Sequence, residues 1–348
     1  MKVDYIVVGI GLAGISFCEE LKTNNKTFVV FDNKSQQSST VAGGLYNPVV
    51  LKRFTSVWKS KEQLQRAIPM YKCIEKALGV KLDFKIPVRR KFTSLEEQNN
   101  WFTASDKPNL SEYLSNKIIK NENKFVDASF GFGEVLQTGR IDVKSLIENY
   151  KSDLKTKNSF FEDDFNYNDL KIEANTIHYK SIQAKYIVFA EGYGVVKNPF
   201  FGDLPLVPTK GELLTIHAPD LKIDYVLKAG VFLIPLENDL YIIGATYVWD
   251  DTTNIVTDKG REMLLSKLNK LISCPFKVVK QVVGIRPTVK DRRPLVGQHT
   301  LYKQMYVLNG LGTRGVMIGP YVANQLFNCI ENNVPLEKEI DISRFNKG

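Results

Sequence analysis

Val3-Asp4-Tyr5-Ile6-Val7-Val8-Gly9-Ile10-Gly11-Leu12-Ala13-Gly14-Ile15 stands at the start of the chain, and its reading decides the fold. Val3 to Val8 is apolar and β-branched, the texture of a strand covered on both faces. Gly9, Gly11 and Gly14 then serve a tight turn, the close approach of a pyrophosphate and the packing of helix on strand. A helix runs on from Ile15 to Leu21, so the turn residues Leu12 and Ala13 lie at its N-terminus, where the positive dipole end favours phosphate. A second apolar strand, Thr27 to Phe31, leads into Asp32-Asn33. A carboxylate at that distance from the glycines accepts ribose hydroxyls and repels a 2′-phosphate, which disfavours NADP. The glycine pattern alone is a weak sign. Strand before, helix after and acid in place make it a dinucleotide site, without choosing between NAD and FAD.

Worked outward, the chain has 348 residues, of which 43% are hydrophobic, enough for a sizeable core and two domains. No apolar run reaches the roughly 18 residues of a membrane span, and no membrane partner is expected. The first strand begins too early for a secretory leader to precede it. Cys18, Cys73, Cys274 and Cys329 are widely spaced and His178, His217 and His299 form no ligand pattern, so neither a disulfide framework nor a metal site is expected. These features together suggest a cytoplasmic protein. The net charge of +9 comes from scattered basic residues such as Lys52-Arg53 and Arg292-Arg293, the pattern of a solvated surface rather than a nucleic-acid-binding arm.

Helical periodicity is read over Trp58 to Leu78, Ile141 to Leu154 and Lys259 to Ile272, and a last helix from about Pro320 to Glu331. Lys185 to Ala190 and Tyr306 to Leu308 read as buried strands. Val80 to Thr93 alternates like strands, and Glu212 to Thr246 reads as short antiparallel strands with turns at Ala229-Gly230 and Asn238-Asp239. The expected architecture is α/β: a discontinuous Rossmann-like cofactor domain (1–55, 138–207 and 283–348) with an inserted substrate domain (56–137 and 208–282) on a largely antiparallel sheet.

Three further segments favour FAD. Ser38 to Pro48 contains Ala42-Gly43-Gly44-Leu45-Tyr46-Asn47-Pro48; Ile187 to Gly192 ends in Ala190-Glu191-Gly192; and Gly284-Ile285-Arg286-Pro287 runs on to Asp291-Arg292-Arg293-Pro294-Leu295-Val296-Gly297. Gly310-Leu311-Gly312-Thr313-Arg314-Gly315-Val316 follows. On these motifs the chain resembles the D-amino-acid oxidase and glycine oxidase superfamily of FAD enzymes, over nearly its whole length. The resemblance implies that Ala42 to Leu45 runs beside the isoalloxazine, where small residues let backbone approach a flat ring. It implies that Ala190, Glu191 and Gly192 contact the nucleotide, and that Gly310, Gly312, Thr313, Arg314, Gly315 and Val316 bring a helix N-terminus to the flavin pyrimidine edge. Sarcosine oxidases of the wider family attach FAD through a cysteine just before the arginine motif. Gly284 and Ile285 stand there in this chain, so the FAD is expected to be non-covalent.

The resemblance also places Arg286 against the carboxylate of an amino acid substrate, a task its guanidinium fork suits. Tyr247 offers a hydroxyl to the same carboxylate or packs on the inserted sheet, and Arg314 is a third candidate. Lys210-Gly211-Glu212 is read as structural. The expected reaction is oxidation of the C–N bond of a small amine, an amino acid or an N-substituted glycine. One alternative is the carboxymethylaminomethyl group of a tRNA wobble uridine, which the charge favours modestly and the absence of an RNA-binding extension disfavours. A second is an NAD-dependent dehydrogenase, which needs only the first fifty residues.

Overall fold

The computed structural model describes residues 1–173 and 176–345. Its first sheet is built on parallel strands in the order Phe160–Phe161, Phe28–Phe31, Lys2–Val8, Ile182–Phe189. Tyr5 and Val7 face one core, and Ile6 and Val8 the other, so the strand is apolar throughout. Ile182–Phe189 has two partners on its far side. Its first half pairs antiparallel with Thr176–Tyr179, and its second half pairs parallel with Met305–Asn309. Helices Leu12–Thr23, Ser60–Leu78, Val143–Thr156 and Gly315–Asn332 supply buried residues to one shared core, including Phe17, Tyr71, Tyr150 and Leu326.

Among the described residues each of the two large sheets has eight strands, and in the second only the pairing of Val226–Lys228 with Val88–Lys91 is parallel. Its edge is formed by the two longest strands, Leu206–His217 and Lys277–Val289, which pair from Leu206↔Val289 to His217↔Lys277. The breaks expected at 207/208 and 282/283 fall inside these strands. They run from the first sheet's surroundings into the second and carry Gly211 and Arg286 with them.

Two helices differ from expectation. The last helix begins at Gly315, a turn and a half before Pro320. Proline has no N–H to give the carbonyl four residues back, but the Tyr71 hydroxyl donates to the Val316 carbonyl at 3.0 Å and takes that place. A helix at Leu95–Ser105, not read from periodicity, is present. Ser94-x-x-Glu97 marks its start: the Ser94 hydroxyl accepts the Glu97 N–H at 3.2 Å, half of a capping box. Among the described residues no helix is long and apolar enough to cross a membrane.

Candidate active site

A cavity of about 700 Å³ runs along the carboxyl ends of the parallel strands and over the second sheet. At its head lies the glycine turn. Gly9 has φ +98°, and a β-carbon there would stand 2.5 Å from the Ala190 carbonyl oxygen. Gly11 caps the helix Leu12–Thr23, whose first residues Leu12 and Ala13 line the cavity. Such a helix start carries backbone donors without intrahelical partners, and the Leu12 N–H meets the Ser39 hydroxyl at 3.2 Å. Asp32 accepts the Ile10 N–H at 3.4 Å and the Lys151 ammonium at 2.6 Å. Lys151 lies on a distant helix, so nothing in the local sequence announced it.

Beside Asp32, Asn33 donates to Asp164, and both line the cavity. Glu191 accepts from the Tyr167 hydroxyl and from Asn198 Nδ2, the latter at 2.8 Å. Burial raises the Glu191 carboxyl above the usual carboxylate range. Asn309 holds the following turn by donating to the Gly192 carbonyl at 2.8 Å. Tyr167, Asn198 and Asn309 were not singled out from sequence, because each acts through partners far along the chain.

The other end of the cavity is basic. Arg286 is half-buried and reaches across Gly211, where a β-carbon would sit 2.0 Å from Arg286 Nη2. Its Nη1 donates to the Thr246 carbonyl at 3.3 Å, and its guanidinium carbon lies 4.7 Å from the Tyr247 ring centre. Among the described residues no carboxylate is within ion-pair distance of it. Burial pulls its pKa below the usual guanidinium range. Arg314 donates to the Asn47 carbonyl at 2.8 Å, and burial lowers its pKa to about 10, so it stays charged at neutral pH. Ala42, Gly43, Gly44 and Leu45 line the cavity between these two regions. A β-carbon on Gly43 would meet Ile234 Cδ1 at 2.7 Å, and one on Gly44 the Ile141 carbonyl at 1.9 Å.

Gly312, Thr313, Arg314, Gly315 and Val316 complete the lining, with Ala190, Glu191 and Gly192 opposite. Two expected cofactor residues do not line it. Gly14 packs the first helix on the turn, where a β-carbon would stand 2.0 Å from the Gly9 oxygen. Gly310 has φ +71° and sits against Val289 and Leu295. Both shape the walls from behind. Lys210 is 1% exposed and paired with Asp251, while Glu212 accepts from the Thr257 N–H at 2.9 Å and from Gln281 Nε2 at 2.6 Å. The pair pins the segment that carries Tyr247.

Three comparisons bear on this site. The family model for DAO-type FAD-dependent oxidoreductases matches residues 4–328. The chain belongs to that family, and its cofactor is FAD. The NAD alternative, which accounts for only the first fifty residues, falls. The bifunctional tRNA 5-methylaminomethyl-2-thiouridine biosynthesis protein MnmC of Campylobacter concisus is 22% identical over 322 residues, covering 86% of this chain and 48% of its own. Glycine oxidase of Bacillus subtilis is 25% identical over 161 residues, covering 43% of this chain and 42% of its own. The matches thus span about half, or less, of these curated relatives' length. Among solved structures, glycine oxidase from Geobacillus kaustophilus superposes with TM-score 0.78 at 19% identity, covering 99% and 98% of the two chains. Iminodiacetate oxidase from a Chelativorans species gives 0.77 at 15% identity, covering 97% and 98%.

The cavity suits FAD on this chain's own geometry. Its order of features is a ribose-type acid, a glycine turn with a helix start, a small-residue wall and a second helix start at Gly315. None of the four cysteines or three histidines lines it.

Proposed function

We propose that this protein oxidises the C–N bond of a small amino acid or an N-substituted glycine whose carboxylate is held by Arg286. One observation carries the reading. Arg286 lies in the cavity wall with a single long hydrogen bond and no carboxylate partner among the described residues. Removing a guanidinium from water without a counter-charge is costly, and a substrate carboxylate supplies that charge with two parallel hydrogen bonds. Tyr247 flanks the guanidinium, and Arg314 adds positive charge to the same end. In this reading Gly11 to Ala13 face the pyrophosphate, Asp32 the ribose, and Ala42 to Leu45 with Gly312 to Val316 the flavin.

FAD held in this cavity would supply the two-electron acceptor for a hydride equivalent leaving the carbon that bears nitrogen. The protein's part is to hold that carbon in register by its carboxylate. Loss of that hydride and of the proton on nitrogen, which passes to solvent, converts the amine to an imine, and water hydrolyses the imine to a 2-oxo acid and the freed amine or ammonia. Were oxygen the final acceptor, those two electrons and two protons would leave as hydrogen peroxide. Arg286→Met tests the role: it is expected to weaken the apparent substrate affinity by about 30-fold or more, the usual loss for one partner of a charge pair, with the flavin still bound. An unchanged affinity would remove Arg286 from the site.

A second reading keeps the chemistry and enlarges the substrate to a carboxymethylamino group on a tRNA base, itself an N-substituted glycine. Tyr247, which lines the cavity, and Trp249 are 52% and 63% exposed with ring centres 6.5 Å apart, and aromatic faces of this kind stack nucleobases. Salt-dependent tRNA binding separates the two readings.

A further inference from the structure

A row of register-paired residues forms the floor of the cavity at its basic end. Lys228 pairs with Phe232, Phe232 with Gly244, and Gly244 with Leu213, and all four line the cavity. Paired residues on adjacent strands share a face, so the row is one continuous surface whose only charged member is Lys228. The Lys228 ammonium lies 4.2 Å from the centre of the Phe232 ring. Among the described residues it has no carboxylate partner. Its register neighbour Arg90 takes Glu97 instead, and Lys267 approaches from the helix Asp258–Asn269, so the groups facing Lys228 add positive charge.

The lining is divided by charge. Its carboxylates, Asp32, Asp163, Asp164 and Glu191, gather where the parallel strands end, around the Asn33–Asp164 and Tyr167–Glu191 hydrogen bonds. Of the cations that line the cavity, Lys197 follows Glu191 on the short helix Gly192–Lys197 and faces those acids, whereas Lys52, Lys228, Arg286 and Arg314 belong to the other end, with no acid among them. One substrate carboxylate on Arg286 leaves Lys228 unbalanced. Two ladder steps, each of about 4.8 Å, separate the Lys228 backbone from that of Gly244, three residues before Tyr247. Lys228 therefore stands across the cavity floor from Arg286, not beside it.

We propose that Lys228 receives a second acidic group of the substrate, so that the site takes an amine bearing two carboxylates, one on Arg286 and one on Lys228. Burial and the neighbouring cations push the Lys228 ammonium down to about 8, as expected of a lysine awaiting an anion. The inference rests on the substrate reading above and narrows it.

The test uses the flavin-loaded protein and two readouts. Calorimetry compares acetate with malonate, succinate and glutarate, which bind without reacting. Anaerobic flavin reduction compares glycine and sarcosine with aspartate, glutamate and N-(carboxymethyl)-β-alanine. The expected result is a preference of about tenfold or more for the best-fitting diacid over the monoacid, the worth of one additional charge-assisted contact. That ratio should collapse towards one in Lys228→Met and persist in Lys228→Arg. A ratio near one in the unaltered protein, or a ratio that survives Lys228→Met, overturns the proposal. A Lys228-dependent diacid preference with no amine reducing the flavin would keep the anion pair and sink the oxidation reading. Reduction by amines without a diacid preference would do the reverse.

Discussion

Arg286 and Lys228 are both long cations in one cavity, yet only one was visible from sequence. Arg286 sits in a run of glycines and prolines, Gly284 to Gly297, whose spacing carries its own resemblance. Lys228 sits in Val226–Lys228, a short strand with nothing distinctive beside it. Only the register Lys228↔Phe232↔Gly244 brings it to the cavity. Asp32 shows the same division: its place after the second strand was legible, and its Lys151 partner, 119 positions on, was not. A pH prediction belongs at this scale. Lys228 titrates near 8, lowered first by burial and then by Arg90 and Lys267. It is charged below that pH and neutral above it. Diacid affinity should therefore be full at pH 7 and fall as pH rises through about 8 to 9, shifted upward by whatever the bound anion adds. Acetate affinity, which rests on Arg286, should change little over the same range. Parallel pH titrations of both ligands would expose the difference, and identical profiles would count against Lys228.

Among the elements, those read correctly carry their signal locally. Lys2–Val8, the glycine turn and Leu12–Thr23 follow from periodicity and three glycines. The antiparallel character of the second sheet followed from alternation and turns between Glu212 and Thr246. The start of the last helix did not, because Pro320 normally marks a first turn. Its tolerance inside the helix depends on Tyr71, a residue of another helix, 245 positions earlier. Removing that hydroxyl leaves the Val316 carbonyl without its donor in a site closed to water, since Tyr71 is fully buried. Tyr71→Phe should cost about 1–2 kcal/mol of stability, measured as a lowered denaturation midpoint at unchanged slope. Because Val316 also lines the cavity, a weakened flavin affinity in the same variant would show that this helix start is part of the cofactor seat. A stability equal to that of the unaltered protein would mean that the carbonyl finds another donor.

The molecule as a whole joins a sheet whose parallel strands end in glycines and acids to a largely antiparallel sheet that carries Arg286 and Lys228. Leu206–His217 and Lys277–Val289 tie the two sheets together and carry Gly211 and Arg286 into the junction. The two-part plan was readable because each half keeps its own periodicity. The division of charge along the cavity was not, because it appears only when strands far apart in sequence meet. The overall charge of +9 is a property of the whole chain, whereas the basic end of the cavity is a local arrangement with its own consequence for substrate. The measurement that tests the central claim most directly is the visible spectrum of the purified protein during anaerobic addition of amino acids and N-substituted glycines. The account predicts flavin absorbance that is released into solution on denaturation, and bleaching by an amine that carries a carboxylate but not by the same amine as its amide. Bleaching by the amide as readily as by the acid, or by no small amine at all, would contradict it.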